Sequence, residues 1–115
     1  MPTAGIVKEQ KKGDGEMELI ATPYHLNDKT KKIQPVLNVE KMKIINIQLQ
    51  TGETIPEHAV DADVAIIAKS WRVSFTVEGE TVEVSPQNVL YMAPLEKHSL
   101  TAVEASDLMV IQTKR

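Results

Sequence analysis

Few residues in this chain can do chemistry, and they are easily named. Its 115 residues include no cysteine and only three histidines, so disulfides and thiolate chemistry are excluded. The imidazoles of His25, His58 and His98 are left as the strongest metal-ligating and proton-carrying groups. His58 closes the stretch GETIPEH, a glycine, a proline and a histidine just ahead of the apolar run DVAIIA. His98 stands in MAPLEKHSL, four residues after Pro94. His25, in TPYHLND, lies in neither setting and reads as a loop residue. Two aspartates, Asp61 and Asp63, follow His58 closely enough to be weighed as companion ligands. Other chemistries have no pattern behind them: the five glycines form no phosphate-cradling loop, and Ser70, Ser74 and Ser99 lack the flanking glycines of a nucleophile elbow.

The elements that must position these groups read as short strands. KIINIQLQ places Ile45, Ile47 and Leu49 on one side and Asn46 and Gln48 on the other. In WRVSFTVEGETVEV, Trp71, Val73, Phe75 and Val77 alternate with Arg72, Ser74, Thr76 and Glu78, the period of a strand with one buried face. Glu78 and Gly79 then turn the chain, the glycine supplying a positive φ, and Val82 and Val84 resume the alternation as a hairpin. A turn at SPQN leads to VLYM, APLEK leads to HSLTAV, and a last turn near 105–107 leads to LMVIQ. No stretch carries a helical stripe of ten residues. Seven or eight short strands at close spacing predict an all-β sandwich, jelly roll or small barrel, its core filled by Val, Ile, Leu, Met and Ala, with Met92 and Met109 as filler.

Composition limits partners. With 13 basic against 16 acidic residues the net charge is −3, which gives no basic field for nucleic acid. No apolar run reaches membrane-spanning or signal-peptide length, so a soluble cytoplasmic protein without membrane contact is expected. Residues 1–32 are polar and rich in Lys, Gly and Asp, and read as a mobile arm with KKGDG as a turn and Met17, Leu19 and Ile20 as a short edge strand; residues 33–115 read as the barrel domain.

Residues 51–115 resemble the small single-domain cupins. Gly52 and His58 match the first glycine and first histidine of that family's first motif, and Pro94 and His98 match the proline and histidine of its second. The resemblance implies a jelly-roll β-barrel, or double-stranded β-helix, commonly a homodimer, with His58 and His98 as neighbours inside it. In the family these positions hold a divalent metal such as Zn, Fe, Mn or Ni.

The departures lie at the other ligand positions. Val60 stands where the second histidine of the first motif belongs, Val64 where its glutamate belongs, Trp71 at the hairpin glycine and Asn88 at the glycine of the second motif. Residues two apart on a strand share a side, which would set Val60 beside His58. Asp61 and Asp63 have the opposite parity, and either would need a bulge to join His58. The expected function is therefore a small-molecule-binding barrel with an incomplete metal centre, His58, His98, Val60 and Val64 lining its pocket and the two imidazoles orienting a carboxylate or carbonyl. Two alternatives stand beside it: a metal-dependent oxygenase or isomerase that recruits Asp61 or Asp63, and a structural dimer without a ligand site. Whether the chain is an enzyme is left open by the residues. Trp71 is expected in the core or at a dimer interface, on the stripe with Val73 and Phe75.

Overall fold

In a computed structural model the chain is described at residues 5–8 and 17–115. The KKGDG turn expected at 11–15 lies outside the described residues. No helix occurs among those described, and none is therefore long and apolar enough to cross a membrane. The strands are β1 (Gly5–Lys8), β2 (Glu18–Ala21), β3 (Lys31–Asn38), β4 (Met42–Leu49), β5 (Thr54–His58), β6 (Asp63–Ser70), β7 (Val73–Val77), β8 (Glu80–Val84), β9 (Val89–Met92), β10 (His98–Ala102) and β11 (Ser106–Thr113). β1 and β2 pair only with each other. The rest form two antiparallel sheets, β5-β10-β7-β8 and β3-β4-β11-β6-β9, the jelly-roll architecture of a double-stranded β-helix.

Alternation decides what each sheet buries. From the five-stranded sheet Ile47, Leu49, Val64, Ile66, Ala68, Met92, Leu108 and Val110 face inward; from the four-stranded sheet Val73, Phe75, Val84, Leu100 and Ala102 do so. These side chains make one contiguous core. Phe75, the only phenylalanine, is the largest fully buried side chain. Met92 is core as expected. Met109 is not: it faces outward on β11 and accepts a hydrogen bond at Sδ from Asn46 Nδ2, 3.4 Å away.

Asn46 and Gln48 leave the core side of β4 as their spacing requires, yet both are buried. The covering is residues 22–26, which cross the outer face of the sheet. Gln48 binds this segment as a backbone would: its Nε2 donates to Pro23 O at 2.7 Å and its Oε1 accepts from His25 N at 2.8 Å. Asn46 Nδ2 donates to Asp107 Oδ1 at 2.7 Å, and Lys69 Nζ, 3.5 Å from Asp107 Oδ2, also donates to Thr22 O and Oγ1. The network satisfies each of these buried polar groups, the condition for burying them at tolerable cost.

Trp71 is not in the core, one of the two places expected for it. It sits between β6 and β7 with φ 62°, and its side chain is 59% exposed beside Arg72 and Pro86. A bulky residue in the left-handed region is a steric outlier, so the chain keeps at this position the turn that a glycine would make without strain. The period-2 stripe runs from Val73, not from Trp71. The Glu78 and Gly79 turn is as read, with φ of 48° and 84°, the pair of positive values a tight hairpin needs.

Candidate functional site

His58 and His98 are cross-strand partners on β5 and β10. Their rings lie 4.3 Å apart between centroids at 59° to one another. A bulge brings them together on the inner side. The β5·β10 register shifts between His98 and Leu100, so four residues of β5, from Ile55 to His58, lie against three of β10. In a regular strand Ile55 and His58 would face opposite ways; the extra residue lets both turn inward. Pro56 lies in this irregular stretch, where its missing N–H removes no ladder bond.

Each ring is held by the backbone two residues before it. His58 Nδ1 lies 3.0 Å from Pro56 O, and His98 Nδ1 lies 3.0 Å from Glu96 O. A carbonyl only accepts, so both Nδ1 atoms carry the proton. In the neutral form each ring then presents Nε2 as a bare lone pair, and no hydrogen bond from a described residue reaches either Nε2. The loop before His98 is equally well held: Glu96 Oε1 accepts from Ala93 N at 2.7 Å, Glu78 Oε2 accepts from Lys97 N at 2.7 Å, and Leu95 N donates to Val60 O at 2.8 Å.

The pair closes one side of a cavity of about 110 Å³ inside the barrel. His98 is buried while His58 is exposed, so the cavity opens beside His58. Its walls are apolar, among them Ile45, Ile55, Val64, Ile66, Phe75 and Leu100. Gln112 is the other polar group in the lining. The sequence held a signal for it: in LMVIQ it falls two residues beyond Val110 and so shares the inward side of β11.

Of the four residues expected at the site, the structure brings three together. His58, His98 and Val64 line the cavity. Val60 does not: β5 ends at His58, so the two-residue alternation no longer applies, and Val60 packs against the core and lines a neighbouring pocket. Asp61 is exposed and lines that same neighbouring pocket. Asp63 points out of the barrel, where Arg115 grips it through Nε and a terminal nitrogen, each at 3.0 Å, and Tyr91 donates to it. Neither aspartate joins the histidines.

The donor set does not fit a divalent metal centre. Among the described residues no group of three or more His, Asp or Glu side chains converges anywhere, and apart from the Gln112 amide the rest of the histidine site is apolar. What persists is the orientation of the rings, each Nδ1–H on a carbonyl, the arrangement that aims an Nε2 lone pair whatever its partner.

The hydrogen bonds from Arg115 and then Tyr91 hold the Asp63 carboxyl below its ordinary range. A carboxylate whose value falls on folding stabilises the fold above its unfolded value, and that contribution is lost as pH falls through the folded value. Asp63→Asn is therefore expected to lower the melting temperature slightly at neutral pH, by a gap that shrinks as the pH falls through and below the ordinary carboxylate range, as read from thermal melts of both proteins. An equal gap at all pH values would assign the difference to packing instead.

No family model matches the chain, and no curated protein matches it. Solved structures do. A cupin superfamily protein from Desulfitobacterium hafniense aligns over 79% of this chain and 84% of its own with a TM-score of 0.73 at 12% identity. A conserved protein of unknown function from Streptococcus pyogenes aligns over 98% and 96% with a TM-score of 0.72 at 18% identity. An RmlC-like cupin with a double-stranded β-helix fold from Methanocaldococcus jannaschii aligns over 84% and 93% with a TM-score of 0.69 at 22% identity. Identities this low establish the fold alone, and the fold is that of the cupins.

Proposed function

We propose that this cupin-fold barrel binds a small organic molecule, without a metal, through the histidine pair at the mouth of its apolar cavity. The observation that carries the reading is the ring orientation: two neighbouring imidazoles spend their Nδ1–H groups on backbone carbonyls and leave two Nε2 atoms, acceptors in the neutral form, at the mouth of one mostly apolar cavity. Such a site selects a molecule with an apolar body and a hydroxyl or amide N–H that donates to Nε2, because a few placed polar groups in an apolar cavity set orientation. In its neutral form the pair is badly matched to a carboxylate, since lone pair would meet lone pair.

The test is ligand-dependent thermal stabilisation in the wild-type chain and in His98→Ala. A compound present at a hundred times its Kd stabilises by about 2.7 kcal/mol, several degrees in a chain of this size. In His98→Ala the chain should still fold and the shift should vanish. A hit from a library of small alcohols and amides that stabilises both proteins equally would remove His98 from the site.

A further inference from the structure

Beyond Gln112 the inner side of β4 and β11 changes character. The register pairs Val110 with Ile45 and Gln112 with Lys43, and the bond from Lys114 N to Lys41 O at 2.8 Å continues the ladder by one more pair. Residues two apart share a side, so Lys43, Lys41 and Lys114 extend the same inward row as Ile45 and Val110. The row runs from apolar to amide to cationic as the strands leave the barrel. All three lysines line a pocket of about 350 Å³ walled also by the 39–42 turn and by Val60, Asp61 and Ala62, and Gln112 lines both this pocket and the histidine cavity.

Lys41 and Lys114 stand directly across from one another, and like charges in that position destabilise an antiparallel pair. The chain does not relieve them. Among the described residues no carboxylate is ion-paired with Lys41, Lys43 or Lys114, although Glu40 and Asp61 stand on the same rim, and Arg115 next door is already committed to Asp63. Three lysines lining one pocket, with no ion-paired carboxylate among the described residues, make a place for an external anion.

We infer that the ligand of the barrel is an amphipathic carboxylate, its apolar body in the cavity, its carboxylate on Lys43, Lys41 and Lys114, and its donor group on the histidines. This rests on the reading of the cavity as a ligand site and adds the class of molecule. Gln112, between the two compartments, can donate its amide N–H to the carboxylate or accept from the body of the ligand.

The experiment uses backbone amide NMR on the full chain with acetate and with two matched pairs, 4-hydroxybenzoate against 4-hydroxybenzamide and 6-hydroxyhexanoate against 6-hydroxyhexanamide. Acetate should move the amides of Lys41, Lys43 and Lys114 alone. At least one hydroxy acid should move these together with the cavity residues, and bind about tenfold more tightly than its amide, as expected of a few partly exposed ion pairs acting together. In the Lys43→Gln, Lys114→Gln double variant that advantage of acid over amide should disappear. Equal affinity of acid and amide in the wild-type chain would overturn the anionic subsite and leave the cavity reading standing. Lysine amides that respond while every cavity residue stays silent would overturn the cavity reading and, with it, the single amphipathic ligand. No response at Lys41, Lys43 and Lys114 to any acid would overturn the subsite outright.

Discussion

Val64→Glu is expected to cost the metal-free chain about 3 kcal/mol or more and to recover much of that loss when zinc or manganese is added. Val64 is 2% exposed and lines the cavity with His58 and His98, so a carboxylate there would be buried without a cation to pair with. The two imidazoles already aim their Nε2 atoms, and a carboxylate beside them completes a two-histidine, one-carboxylate set. Metal that binds the folded chain and not the unfolded one adds its binding free energy to stability. Urea unfolding with and without the metal, together with metal content per chain, reads both halves of the expectation. Val60→His is the control, because Val60 lies beyond the end of β5 and outside the cavity, and it should gain no metal. A stable Val64→Glu chain that ignores metal would mean that position 64 does not face the histidines as described.

Phe75→Ala should destabilise the chain by about 3–5 kcal/mol, the range for removing a buried aromatic side chain. Phe75 is 1% exposed, pairs with Leu100 on one side and Val82 on the other, and also walls the cavity. The loss should therefore appear together with a larger chamber beside the histidines, which a dry apolar guest such as benzene can fill. The measurement is the urea midpoint of the variant with and without saturating benzene. A loss below 1 kcal/mol would contradict the central place of Phe75 in the core.

Much of this fold was legible because alternation is a local property. Ile45, Ile47 and Leu49, or Val73, Phe75 and Val77, declare a buried side without knowledge of the partner strand. The approach of His58 to His98 was legible only through the cupin motifs, since forty residues separate them and nothing local marks their pairing. What misled was continuity. The bulge at Pro56 changes the phase of β5, and β5 then stops at His58, so the step from His58 to Val60 that a regular strand would permit does not exist. Trp71 misled in the same way: its alternation with Val73 is real in the sequence, yet its backbone is in a left-handed turn. The burial of Asn46 and Gln48 had no local sign at all, because the cover comes from residues 22–26 and reaches them through Gln48's own amide. The lysine row is in plain view at 41, 43 and 114 and becomes a pocket only when the β4·β11 register is known.

The strand order bears on how the molecule assembles. β4 and β6 do not touch in the five-stranded sheet; each pairs with β11, which lies between them. Before β11 enters, the sheet exists only as two separate hairpin-like halves, β3 with β4 and β6 with β9, each with one exposed edge waiting for the same segment. The closing contacts are long in sequence, as between Asn46 and Asp107, 61 residues apart, and loop closure over such a span comes before any of its rewards. Folding on the slow, millisecond-to-second side of small domains follows from this order. So does a particular vulnerability: a nascent chain that has emerged through β9 presents two open edges, to which the matching strand of another copy can add as readily as its own.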